Sequence, residues 1–253
     1  MSPPTPLLTL ITGATDGIGL ALARHYRRQK RPLALIGRRP FADTPLATDF
    51  APDDYCQAEL SRPDCGELVA DWLQSRAGGP VGLLIHNAAS GYYGLTPHQP
   101  ADSIRQVMAV NLAAPVALTH ALLPQMARPG GQIVFISSVV AGLPCPDYAV
   151  YGASKAALDA FALNLRLELG DELTVQIVRP GATRSGMHAK SGLPPEKVNW
   201  RSFPPAETVA VQIARAIEGR RAAVTLGWGN RLAHWGGRHL GGWLDAALRR
   251  GRR

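Results

Sequence analysis

Cysteine is scarce: Cys56, Cys65 and Cys145 are the only three in 253 residues. The number is odd and no two stand at Cys-x-x-Cys spacing, so neither a disulfide framework nor a zinc cluster is expected, and a reducing cytoplasm is the natural compartment. No His/Glu pairing of the His-x-x-Glu kind supports a metal site either. Long apolar runs are lacking too: no stretch reads as long and apolar enough to span a bilayer, and the opening MSPPTPLLTLITG has no basic region of the signal-peptide type. Acidic residues are short at one end. Residues 220–253 hold eight arginines and one acid, Asp245, whereas the rest of the chain holds 19 basic and 18 acidic residues. The net charge of +8 is therefore a property of the tail. A nearly neutral body offers no broad phosphate footprint, which argues against nucleic-acid binding.

What is present is a chain 46% hydrophobic and 18% charged, enough to bury a sizeable core. Short apolar runs at 7–12, 32–37, 81–86, 132–137, 174–179 and 222–227 read as strands. Helical patterns cover 17–30, 64–77, 101–127, 148–170 and 206–218, with Pro115 and Pro124 bending or ending the third. Residues 40–54 are poor in helix signal, and 180–205 read as a loop. Strands alternating with helices predict an α/β fold: a doubly wound parallel sheet of Rossmann type in a single domain, 1–227, with a basic amphipathic extension at 228–253.

The first strand runs into Thr12-Gly13-Ala14-Thr15-Asp16-Gly17-Ile18-Gly19. Glycines between a strand and a helix allow a tight turn and close approach of backbone to phosphate, and the helix N-terminus adds free N–H groups and positive dipole. A nucleotide is the expected ligand, although the spacing is neither GxGxxG nor a P-loop. The second strand ends in Gly37-Arg38-Arg39. Arginine here accommodates a ribose 2′-phosphate, favouring NADP(H) over NAD(H), unless the pair is only a solvated basic turn. Asp16 is an awkward anion beside it.

Tyr151 and Lys155 lie four apart on a helix and share a face. A lysine ammonium beside a phenol is expected to lower its pKa towards useful acid–base chemistry. Ser138 closes the strand upstream, at the ligand-binding edge of a parallel sheet, where its hydroxyl can steady a substrate oxygen.

Taken together, these motifs resemble the short-chain dehydrogenase/reductase family of single-domain type over about residues 7–227. The resemblance rests on the glycine turn at 12–19, Asn87-Ala88-Ala89, Asn111 in Val-Asn-Leu, Ser138, Tyr151-x-x-x-Lys155 and Pro180-Gly181. It implies a Ser138–Tyr151–Lys155 catalytic set acting on a small carbonyl or alcohol substrate. It implies that Lys155 also holds the nicotinamide ribose and that Asn111 holds a water relaying protons to Lys155. Asn87, Ala88 and Ala89 would line the cofactor, Pro180, Gly181, Thr183 and Ser185 would meet its nicotinamide end, and Glu59-Leu60 would flank the adenine. It further implies a homodimer through 101–127 and 148–170. The chain departs from the family's usual Asn-Ala-Gly at Ala89, a methyl that fits if φ is negative. It also lacks the glycine-rich ending of tetrameric ketoacyl reductases. His86 and His188 read as pocket lining or satisfied polar groups; Tyr92, Tyr93, Met187 and Trp200 as substrate contacts or aromatic packing.

Two other readings stay open: a non-catalytic dinucleotide-binding sensor, and a membrane-peripheral reductase of lipid, sterol or retinoid type. The second rests on the tail, where Leu232, Trp235, Leu240, Trp243, Leu244, Ala247 and Leu248 fall on one helical stripe beside Arg231, Arg238, Arg249, Arg250, Arg252 and Arg253. Either that stripe packs on the enzyme's own body or it meets a membrane.

Overall fold

The computed structural model describes residues 7–76 and 79–240. Its centre is a parallel sheet of seven strands: β1 (Leu8–Thr12), β2 (Leu33–Gly37), β3 (Tyr55–Gln57), β4 (Val81–His86), β5 (Gln132–Ile136), β6 (Thr174–Arg179) and β7 (Ala223–Thr225). They lie in the order β3-β2-β1-β4-β5-β6-β7. β1, β2 and β5 are buried along their whole length, as near-continuous apolar strings must be when helices cover both faces. On one face pack α2 (Cys65–Ser75), α4 (Ala114–Leu122) and α5 (Ala149–Leu169), through Val69, Leu73, Leu118, Leu122, Leu158 and Leu165. On the other pack α1 (Gly17–Arg28) and α7 (Ala206–Glu218), through Leu22, Tyr26, Val209 and Ile213. The order reverses between β1 and β4, and a crevice at the carboxyl ends of the strands at such a switch point is where open α/β sheets bind ligands. The doubly wound expectation holds.

Four features differ from the sequence reading. β3 went unseen because three residues, Tyr55-Cys56-Gln57, are too few for any period; the stretch before it forms three short 3₁₀ turns and no helix. The loop at 180–205 contains a short helix, α6 (Gly186–Lys190). The helix at 101–127 is broken into α3 (Ala101–Met108), a π turn at Ala109–Ala113 and α4. Pro115 has no N–H for the carbonyl of Asn111 four residues back, and widening the turn relieves the ring's clash with it. Contrary to the expectation that no stretch could span a bilayer, Ala101–Gln125 has the length and apolarity to do so; its α4 part is a core layer, with Ala117 against Gly66 of α2.

The last described helix, α8 (Trp228–His239), decides which side of the tail docks. Asn230, His234 and Gly237 face the body, and Gly237 stacks directly on Gly142. The apolar stripe does not pack inward: Leu232, Trp235 and Leu240 are exposed, with Trp228 beside them. Glycines that weaken an isolated helix are what permit this close packing, so the small-residue face is the docked one. Trp243, Leu244, Ala247, Leu248, Arg249, Arg250, Arg252 and Arg253 lie outside the described residues.

Candidate active site

The glycine turn sits at the carboxyl end of β1, beside the switch point. Gly13 and Gly17 hold φ of 65° and 51°, which side chains rarely tolerate. A Cβ on Gly13 would lie 2.8 Å from the Cα of Ala88. The Asn87 side-chain amide donates to the carbonyls of Thr12 (3.0 Å) and Gly13 (3.2 Å), while the Thr12 hydroxyl accepts from the backbone N–H of Asn87 and of Ala88, both at 3.0 Å. Thr12, not singled out from sequence beyond its place in the motif, thus locks the 87–89 segment to the turn. Ala89 stays out of the left-handed region, so its methyl is accommodated. Asp16 caps α1 by accepting from Gly17 N at 2.7 Å and pairs with Lys190 of α6 through its other oxygen. Its charge is thereby balanced. Gly19 packs against the Gly13 carbonyl, and Ile18 adds to the core behind the turn.

Ser138 follows β5 and caps the 3₁₀ turn Val139–Ala141. Tyr151 and Lys155 stand one turn apart on α5, both buried. The Ser138 hydroxyl neighbours the Tyr151 phenol and favours its ionised form. Lys155 Nζ lies 5.9 Å from the Tyr151 ring centroid and donates to the carbonyl of Ile136 at 3.0 Å. Asn111, wholly buried in the π turn, grips the Ser90 backbone with both ends of its amide (2.8 and 2.9 Å) and donates to Ser154 Oγ at 2.9 Å; Ser154 in turn donates to the Tyr151 carbonyl.

With this arrangement a family model described as "short chain dehydrogenase" matches residues 8–195. The chain belongs to the short-chain dehydrogenase family. Among its relatives, dehydrogenase/reductase SDR family member 7B of Rattus norvegicus is 35% identical over 187 residues, covering 69% of this chain and 57% of that protein. An 11-beta-hydroxysteroid dehydrogenase A of Arachis hypogaea is 35% identical over 182 residues, covering 69% and 52%. The chain therefore spans little more than half the length of these two relatives. Among solved structures, a short-chain dehydrogenase from Sphingobium yanoikuyae in complex with NADPH superposes with a TM-score of 0.78 at 27% identity, covering 94% of this chain and 95% of that one. One from Burkholderia cenocepacia in complex with NADP gives 0.74 at 25%, covering 89% and 98%.

For a short-chain dehydrogenase, one electrostatic detail departs from the sequence reading. The Tyr151 pKa is raised, not lowered. Burial pushes that phenol up to about 12, and Ser138 opposes the shift. The lysine's ammonium is turned to the Ile136 carbonyl rather than the phenol oxygen, and is itself pulled down to about 8 by burial, with Asp159 opposing. Burial outweighs pair attraction because the ionised form of either group gives up its water.

The remaining predicted residues of this short-chain dehydrogenase separate into those at the edge and those turned away. Pro180 and Gly181 follow β6; the Pro180 carbonyl accepts from Val139 N, tying together the loops that follow β5 and β6. Thr183 is buried, and Ser185 lies against Gly17. Arg39 donates to the Thr15 carbonyl at 3.0 Å, and Arg38 is exposed beside it. Glu59 turns its carboxylate to the N–H and hydroxyl of Ser61, and Leu60 is buried in the core. His86 bonds Thr119 at 2.9 Å and stacks on Phe135, held neutral by burial; no metal cluster occurs among the described residues. His188 packs with Trp200 and Phe203, and Tyr93 with Tyr148, which itself neighbours Tyr151. Tyr92 donates to the His98 carbonyl. Asp159 and Arg179, unmentioned by any motif, form a buried ion pair behind Lys155. Their one sequence clue is that Asp159 falls four residues beyond Lys155.

Proposed function

We propose that this chain moves hydride between NADP(H) and a carbonyl or secondary-alcohol carbon. The observation that carries the reading is that Ser138, Tyr151 and Lys155 come together at the same sheet edge as the glycine turn.

The cradle fits a dinucleotide. Positive-φ glycines give the backbone its close approach, and α1 points its N-terminus there. Gly13, Thr15, Asp16, Gly17, Ile18 and Gly19 would hold the pyrophosphate, and Arg38 and Arg39 a 2′-phosphate. Glu59 and Leu60 would flank the adenine side and Asn87, Ala88 and Ala89 the centre. Tyr151 and Lys155 would hold the nicotinamide ribose, and Pro180, Gly181, Thr183 and Ser185 the ring's end. When bound, the nicotinamide supplies the hydride donor or acceptor.

The chain's own residues manage the proton. Ser138 steadies the substrate oxygen. Tyr151, whose raised pKa keeps it a neutral phenol near pH 7, is already charged with the proton that a reduced carbonyl oxygen needs. In the oxidative direction it must act as phenolate, which burial opposes and Ser138 favours. Asn111 would hold a water in a proton relay to Lys155, in keeping with Pro115, which supplies no N–H to the Asn111 carbonyl.

Two of the solved relatives hold NADPH or NADP, which supports the cofactor preference. Met108, Leu112 and Val116 form an apolar face on α3, the π turn and α4, in keeping with a homodimer. The test is Tyr151→Phe. Turnover of NADPH against a carbonyl panel should fall at least about 10²-fold, the lower range for a general acid, while NADPH binding is kept. A variant with wild-type turnover would end the reading.

A further inference from the structure

The outward face of α8 has no part in this chemistry. Trp228, Leu232 and Trp235 follow at intervals of four and three on one side of the helix, 68%, 54% and 55% exposed, and Leu240 is exposed as well. Two tryptophans and a leucine aligned in water make a contiguous apolar patch, which is the sign of a surface that meets something. Arg231 and Arg238 stand on the same helix, and Trp228–Leu240 contains no acid. The chain beyond it, 241–253, adds Trp243 and four arginines against Asp245.

The helix is held in place before any partner arrives. His234 Nδ1 lies 3.2 Å from the Val139 carbonyl, Asn230 donates to the Leu226 carbonyl at 2.8 Å, and Gly237 abuts Gly142. A docked helix does not have to nucleate on binding.

We propose that α8 lays its Trp228–Leu232–Trp235 face in the surface of a bilayer containing anionic lipid. Indole and leucine enter the boundary between headgroups and acyl chains, and the guanidinium groups meet lipid phosphates. The charge decides against a symmetric α8-on-α8 contact with a second copy of this chain. An α8-on-α8 contact would bring Arg231 and Arg238 against the same cations of the other molecule, with no acid on the helix to offset them. The inner side of α8 touches the loops that follow Ser138 and Pro180, so the lipid surface lies about one helix diameter, ~10 Å, from the candidate catalytic edge.

The experiment is sedimentation of the full chain with vesicles of phosphatidylcholine and phosphatidylglycerol in equal parts, against phosphatidylcholine alone, at low and high salt. The chain should pellet with the anionic vesicles, its tryptophan emission should move to the blue, and both effects should weaken with salt. Trp228→Ser with Trp235→Ser, and separately Leu232→Glu, should each cut the bound fraction at least tenfold with the circular dichroism spectrum unchanged. These side chains are exposed, so the fold does not depend on them. The proposal is overturned if the full chain stays in the supernatant with anionic vesicles. It is equally overturned if the variants pellet as well as the wild type, or if they dissociate a dimer that never binds lipid. None of these readings involves turnover, so a failure of the oxidoreductase assignment would show separately in the NADPH assays.

Discussion

Arg179 Nε donates to Asp159 Oδ2 at 2.6 Å in the protein interior, where the two side chains keep only 7% and 8% of their exposure. The pair joins α5 to the last residue of β6, immediately before Pro180. It also continues a row on α5, since Tyr151, Lys155 and Asp159 follow at intervals of four. Asp159 Oδ1 has no hydrogen-bond partner, so the carboxylate depends on Arg179. Arg179→Met should therefore leave a buried, unpaired charge and cost roughly 3–5 kcal/mol of stability, the range for breaking such a pair. Adding Asp159→Leu should recover much of that loss, because the double variant has no buried ion left to solvate. Urea unfolding of both variants checks this; a double variant no more stable than the single would mean that packing, not charge, holds the joint.

The same carboxylate bears on Lys155. Burial pulls the lysine from 10.5 down to about 8, and Asp159 pulls it back up. The folded state thus binds fewer protons than the unfolded one between about pH 8 and 10.5. The group's cost to stability is fully present below that window and is relieved as pH rises through it. Its functional charge goes the opposite way. If Lys155 holds the cofactor ribose as an ammonium, NADPH affinity should fall as pH passes about 8. In Asp159→Asn that fall should begin at lower pH. Fluorescence titration of NADPH across the range reads both, and an unmoved midpoint in the variant would separate Asp159 from the lysine.

Much of this was legible because parallel strands buried on both faces must be strings of apolar residues, and strands such as LTLIT and QIVFI are little else. Once the strands were placed, Ser138, Asn87 and Pro180 fell at their carboxyl ends and Tyr151 one turn from Lys155. What was illegible has physical reasons. β3 is three residues long. Which face of α8 docks stayed open between two readings because an apolar stripe can mark either burial or an outside surface, whereas Gly237 on Gly142 needs only the absence of a side chain. The direction of the Tyr151 shift was misjudged because spacing along a helix shows proximity and says nothing of desolvation. Asp159 and Arg179 are twenty residues apart and meet only when α5 crosses back over the sheet.

Arg38 and Arg39 make cofactor choice testable. Arg39 is drawn over the turn by its bond to the Thr15 carbonyl, and the Tyr55 hydroxyl holds its backbone by donating to its carbonyl at 2.6 Å. Arg38 is exposed next to it. Two guanidinium groups at the end of β2 favour a 2′-phosphate. Replacing both by Ala should raise the KM for NADPH by on the order of tenfold or more, as lost charge-assisted hydrogen bonds of about 1.5–3 kcal/mol imply, and leave that for NADH nearly unchanged. Equal effects on both cofactors would place the arginines in solvent.

Asp16 and Lys190 close the two sides of the candidate site on each other. Asp16 uses one oxygen to cap α1 and the other to hold Lys190, so α6 lies across the glycine turn, and a Cβ on Gly17 would come within 2.9 Å of that of Ser185. The pair is half exposed, at 58% and 42%, so its direct contribution to stability is small, about 0–1 kcal/mol. Its effect on the cofactor should be larger than that number suggests, because Lys190 both fastens the cover and neutralises an anion beside the phosphate cradle. Lys190→Ala should therefore speed NADPH release several-fold and weaken its binding, with little change in unfolding. Stopped-flow displacement measures the release. Asp16→Asn keeps an oxygen to cap the helix and removes the charge. In that background the Lys190→Ala effect should nearly vanish, since neither the ion pair nor the unbalanced anion remains. If Lys190→Ala speeds release equally in both backgrounds, the lysine acts on the cofactor through some contact other than Asp16, and the clasp between α6 and the glycine turn is refuted.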